Sequence, residues 1–182
     1  MDIILSCVKL LCICAESSTT SEFLGNDEIL GVLQSIGNSP VSALRISNKA
    51  LLSCLISHGV KIPLNCVKLT VDEAKDVVSA ILETYKLSSC HLTLFVDTVL
   101  LVKTFAVNPE NLEELVRQNL LFVLKSLLLR ATSAVKPMLT EILQLWEQHK
   151  QRDVKPDSRL FTEPQHLLPG QQPASLQGIT CM

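Results

Sequence analysis

Aromatic residues make up only 4% of this 182-residue chain, with one Trp, one Tyr and five Phe, and glycine occurs only six times. Strand sandwiches draw on aromatic side chains and glycine-rich turns, so this scarcity argues for helices packed through Leu, Val, Ile and Ala. The few glycines form no Gly-x-Gly-x-x-Gly, Walker-type loop or Gly-x-Ser-x-Gly elbow, which leaves nucleotide-dependent enzymes and serine hydrolases without a motif. Charge of one sign is lacking too. Sixteen Lys and Arg against 18 Asp and Glu give a formal −2, no broad attraction for nucleic acid or an anionic membrane. No run reaches the ~20 uncharged apolar residues a spanning helix needs, because Asp97 and Lys103 interrupt one candidate and Lys125 and Arg130 another.

Metal and nucleophile patterns are equally sparse. Cys7, Cys12 and Cys14 have no second pair to complete a zinc site, and His58, His91, His149 and His166 are scattered without His-x-x-x-His spacing. Cys90 precedes His91, but adjacent helical side chains point about 100° apart, so the pair is expected to be a core thiol beside an unrelated imidazole. No catalytic residue, metal or cofactor is expected, and the chain is not expected to be an enzyme. Seven cysteines, an odd number counting Cys54, Cys66 and Cys181, mostly occupy apolar helix positions and read as buried free thiols of a reducing compartment. Asn38-Ser39-Pro40 fails as a glycosylation acceptor, which leaves cytoplasm or nucleus as the expected location. The apolar start, residues 1–15, carries Asp2 and Lys9 where a signal peptide wants a positive start and an unbroken apolar stretch. It reads as a first helix without a cap, as in a truncated array of a longer protein.

What is present is a train of capped, leucine-rich segments in a chain that is 47% hydrophobic and 19% charged, a globular balance. Thr70-Val71-Asp72-Glu73 is a capping box, and Ala74, Val77, Val78, Ile81, Leu82 and Tyr85 then recur at helical spacing to about Lys86. Residues 16–26 are small and polar and read as a loop. Asn26 or Asp27 caps a helix that Gly37 ends in a left-handed turn. Ser39 and Pro40 open the next helix as cap and first residue; it has a candidate break at Ser47 and Asn48 and ends at Gly59. Residues 60–69 read as a loop in which 67–69 could be a stub of strand. Ser88 or Ser89 caps an almost all-round apolar helix ending near Phe105. Asn108, Pro109 and Glu110 open a helix that continues to Leu128, and a final helix begins near Ser133 with Pro137 in its first turn.

Helix starts near 27, 70 and 109, and second starts near 40, 89 and 134, recur at roughly 40 residues, a period of helical solenoid units. On these starts and the Leu, Val and Ala content, residues 27–152 resemble the armadillo and HEAT repeat families. The Asn and Gly landmarks of regular armadillo units are irregular here. The chain also resembles the armadillo-like arrays of large meiosis-inhibitor-type proteins, as their C-terminal part. The resemblance implies an all-α helical repeat domain over 1–152 with stacked helical hairpins over 27–152, a solenoid fragment; after it Pro156, Pro164, Pro169 and Pro173 interrupt a polar background, so 153–182 reads as a disordered tail.

The expected function is a non-enzymatic scaffold or regulatory module that binds a protein partner, with no membrane and no direct nucleic-acid ligand. The alternative is an adaptor using its basic C-terminal helices for an acidic partner or chromatin in a nuclear process, a meiotic one on the resemblance. Candidate partner-binding residues are Arg117, Lys125, Arg130, Lys136, Trp146 and Lys150, from the stretch Arg117 to Arg159 in which base exceeds acid.

Overall fold

The computed structural model describes residues 2–15 and 17–153. Among these the chain is all-α, with α1 (Asp2–Cys14), α2 (Ser18–Leu24), α3 (Asp27–Gly37), α4 (Ser42–Ser57), a 3-10 turn (Leu64–Cys66), α5 (Val71–Lys86), α6 (Leu92–Ala106), α7 (Pro109–Arg117), α8 (Leu120–Leu128) and α9 (Lys136–Asp153), and no strand. The expected tail over 153–182 lies, apart from its first residue, outside the described residues.

Three of the expected side-chain caps form. Thr70 Oγ1 accepts the Glu73 N–H at 3.3 Å and Glu73 Oε2 accepts the Thr70 N–H at 3.0 Å, closing the capping box of α5. Asn108 Oδ1 accepts the Glu110 N–H at 3.0 Å ahead of Pro109 in α7. Asn26 caps α3 by accepting the Glu28 N–H at 2.9 Å.

Five local expectations need correction. Residues 16–26 contain α2: Ser21 and Leu24 are buried, and Ser21 Oγ donates to the Ala15 carbonyl at 2.6 Å, so two inward residues and one bond anchor a short polar helix. Gly37 is the last residue of α3 and is not left-handed; that conformation belongs to Gly59, with φ of 89°. Ser39 and Pro40 precede α4 as a turn, because Ser39 Oγ accepts the Val41 N–H and the Ser39 carbonyl accepts Arg45 Nη1 at 2.8 Å. α4 does not break at Asn48, whose buried amide donates to the Leu33 carbonyl at 2.8 Å instead of competing for its own backbone. α6 starts at Leu92 after His91, with no side-chain cap from Ser88 or Ser89, since 88–91 hold a turn in which the Cys90 and His91 N–H groups donate to the Leu87 carbonyl.

A sixth difference matters for function. The helix expected from 109 to 128 is two helices, because Asn119 adopts φ of 69° between α7 and α8. Asn is the residue other than glycine that tolerates this conformation best. The turn re-aims α8 relative to α7 and so decides which of its side chains meet solvent.

Two apolar clusters share α4. Leu44, Leu51, Leu52 and Leu55 of α4 pack with Val8, Ala15, Leu24, Leu33 and Val67, while Ile46 and Ala50 face the larger cluster of α5 to α9 around Phe95, Phe105, Leu112, Leu115 and Leu124. α6 touches α4, α5, α7 and α9, as an all-round apolar helix requires. Polar groups tie these layers together. Glu73, buried in α5, accepts Arg45 Nε at 2.9 Å and Lys49 Nζ from α4, and buried Asn111 of α7 holds the backbone of 67–69.

Gly59 offers a local test of the turn after α4. No heavy atom lies within 4 Å of an added Cβ there, so Gly59→Ala isolates the backbone cost and is expected to lower stability by about 1–2 kcal/mol. Urea unfolding measures it; an unchanged midpoint would show that the turn relaxes freely.

Candidate interaction surface

The six basic and aromatic candidates divide into two groups. Arg117, Trp146 and Lys150 lie in a seam between α7 and α9. Arg117 Nη1 donates to Glu114 Oε2 at 2.9 Å and Nη2 lies 3.5 Å from Glu113 Oε2, one turn back on the same helix. Hydrogen bonds from Gln118 and Arg117 hold the Glu114 carboxyl below its ordinary range. Glu113 also meets His149 Nε2 of α9 at 2.9 Å, the His149 ring lies 5.7 Å from that of Trp146, and Lys150 Nζ sits 5.5 Å over the indole. Trp146 is half-buried against the larger cluster. These three candidates are therefore engaged within the fold.

Lys125, Arg130 and Lys136 are different. All three are exposed, and none takes part in an ion pair among the described residues. From Gln118 to Thr140 the sequence has no acidic residue. The acids that flank the stretch are committed elsewhere, Glu114 to Arg117 and Gln118, and Glu141 to Lys103 at 2.9 Å. By contrast the exposed lysines of α5, Lys75 and Lys86, each have an acid three residues back, Asp72 and Glu83.

α8 gives these cations an apolar companion. Leu120, Val123, Leu124 and Leu127 fill its inward face at helical spacing. Its outward side carries Phe122, 74% exposed, then Lys125 and Ser126, then Leu129, 85% exposed, just past the last helical residue. Seven residues separate the two apolar side chains, two helical turns, so they share one side about 10 Å apart with Lys125 between them. A short turn follows, in which the Arg130 and Ala131 N–H groups donate to the Leu127 carbonyl and the Val135 and Lys136 N–H groups to that of Thr132; α9 packs on α8. Lys136 at the start of α9 thus lies at the same end as Arg130.

Sequence reading missed Phe122 and Leu129. The signal was there: both fall out of register with the inward set at 120, 123, 124 and 127, and a large apolar residue off the core register must face water or a partner.

Two other features are apparent. α1 is apolar on its outer side as well, where Ile4, Leu10, Ile13, Cys7 and Cys14 are exposed. A cleft of about 220 Å³ between α3 and residues 61–66 is lined by Leu30, Gly31 and Leu52 with Asp27 and Lys61 at its polar parts, smaller than the ~300 Å³ and upward typical of small-molecule sites.

Cys181 lies outside the described residues, and the six described thiols are not the buried set expected from their apolar positions. Cys7, Cys14 and Cys90 are exposed, and Cys12, Cys54 and Cys66 half-buried, because the cysteines of α1 fall on both of its sides and Cys90 lies in the turn before α6. Cys90 is thus a surface thiol beside an exposed His91, with its Sγ 3.7 Å from Ser89 Oγ. Burial, with Cys54 adding to it, pushes the Cys12 thiol up to about 12, far from nucleophilic at neutral pH. No group of three or more His, Cys, Asp or Glu side chains among the described residues could hold a metal, and no helix is long and apolar enough to cross a membrane.

No family model matches this sequence, and no curated protein or solved structure is significantly similar to it.

Proposed function

We propose that this chain is a non-enzymatic protein-binding module, a solenoid-like stack of helical hairpins that presents the outer side of α8 to a partner. The observation that carries the reading is the exposure of Phe122 and Leu129 beside Lys125, Arg130 and Lys136, none of which is in an ion pair among the described residues. Exposed aromatic and aliphatic side chains ringed by charge are the usual makings of an interface core and rim. The stacking part of the reading draws support from contacts between helices that are not neighbours in the chain, α4 with α6, α6 with α9, and α5 with α7. It draws further support from the starts of α3, α5 and α7 at Asp27, Val71 and Pro109 and of α4, α6 and α9 at Ser42, Leu92 and Lys136. A scaffold or regulatory role in cytoplasm or nucleus follows from that reading.

The test is photo-crosslinking in cells from a photoreactive amino acid at position 122, with one at exposed Leu82 on α5 as control. A discrete adduct with another protein from position 122 alone is expected. Absence of any adduct, or the same adducts from both positions, would remove the reading.

A further inference from the structure

Resting on the reading of α8 as a docking side, we infer that its partner is an acidic amphipathic helix, with apolar residues one and two turns apart and Asp or Glu on their flanks. Charge complementarity carries the choice. Three exposed cations, Lys125, Arg130 and Lys136, stand in a stretch from Gln118 to Thr140 that has no acid, while Glu114 and Glu141 at its edges already have cationic partners. Nothing within the described fold neutralises the patch, so a bound carboxylate gains its attraction without breaking an existing pair. Phe122 and Leu129, about 10 Å apart on one side of α8, match the spacing of apolar residues on a helix laid against them. Lys125 between them, and Arg130 and Lys136 beyond Leu129, then meet the partner's flanks.

Other occupants fit less well. A second copy docked through the same side would bring Lys125 and Arg130 of each copy against the like charges of the other about the two-fold axis. Phosphates would use the cations and leave Phe122 and Leu129 exposed. A membrane surface would draw mainly on the three cations, since two protruding side chains at one short helix add little anchoring area.

The experiment measures fluorescence anisotropy of labelled probe helices against the full chain. One probe is an 18-residue designed peptide with Leu at helical spacing and Glu on its flanks; the second replaces every Glu by Lys. The Glu probe is expected to bind at least tenfold tighter than the Lys probe and to weaken as salt is added. Lys125→Glu with Arg130→Glu should lower its affinity at least tenfold and raise that of the Lys probe, and Phe122→Gln with Leu129→Gln should weaken both probes. Lys75→Glu with Lys86→Glu on α5 should change neither. All these side chains are exposed, so thermal melts should stay within about a degree or two of wild type. Equal affinity for the two probes, or indifference to the charge reversal, overturns the inference. So does binding only to vesicles of one-third phosphatidylserine, or a dimer in sedimentation that Phe122→Gln dissolves. A position-122 adduct in cells together with no preference for the Glu probe would leave the binding-module reading standing and remove this inference alone.

Discussion

Glu73→Ala is expected to lower the unfolding free energy by about 3 kcal/mol, roughly 6–12 °C in Tm for a chain of this size. Its side chain is 1% exposed, yet it accepts Lys49 Nζ, Arg45 Nε and the Thr70 N–H, joining α4 to α5 and closing the α5 cap at once. Burial by itself would raise the Glu73 pKa; the hydrogen bonds from Lys49, Thr70 and Arg45 outweigh it and hold the carboxyl at about 2. The ordinary value is 4.5, so the folded state binds this proton less tightly than the unfolded state. The stabilisation is complete above about pH 4.5 and is lost as pH falls towards about 2. Glu73→Gln removes that titration. The difference in stability between wild type and Glu73→Gln should therefore shrink over that window, and urea midpoints that keep a constant gap from pH 6 to pH 2.5 would contradict it.

Asn111→Asp is expected to cost on the order of 3 kcal/mol at pH 7, although it changes one atom. Asn111 is fully buried on α7; its Nδ2 donates to the Val67 carbonyl at 3.0 Å and its Oδ1 accepts the Leu69 N–H at 2.8 Å. A carboxylate keeps the second bond but turns a lone pair towards the Val67 carbonyl, placing a buried charge against an acceptor. Protonation restores a donor, so the penalty should be smaller at pH 4 than at pH 7. Denaturant unfolding at both values measures it, and a loss no larger than that of an exposed Asn→Asp change, or one that grows on acidification, would refute the role given to Asn111.

These two residues show where the sequence was legible and where it was not. The Thr70 box and the Asn108 cap were readable because each bond spans two or three residues, so identity and spacing suffice. The other duties of Glu73 were hidden, since Arg45 and Lys49 reach it from another helix. Asn111 was hidden for the same reason: its partners lie 42 and 44 residues back. Residues 67–69 read as a stub of strand because their backbone does need hydrogen-bond partners, and a side-chain amide supplies them where a second strand would have. The split of the 109–128 segment turned on one dihedral, at Asn119, which apolar periodicity on both sides concealed. At the candidate surface the basic stretch from Arg117 to Arg159 was visible as composition. Which cations were already paired depended on tertiary partners such as Glu141 and Glu114.

The central claim is that the outer side of α8 docks an acidic amphipathic helix, and an amide NMR titration of the full chain with the Glu probe tests it most directly. Saturable shift changes concentrated between residues 120 and 136, and absent in Lys125→Glu with Arg130→Glu, are expected. Shift changes centred on the outer side of α1 or on the cleft beside Lys61, or none at all, would contradict it.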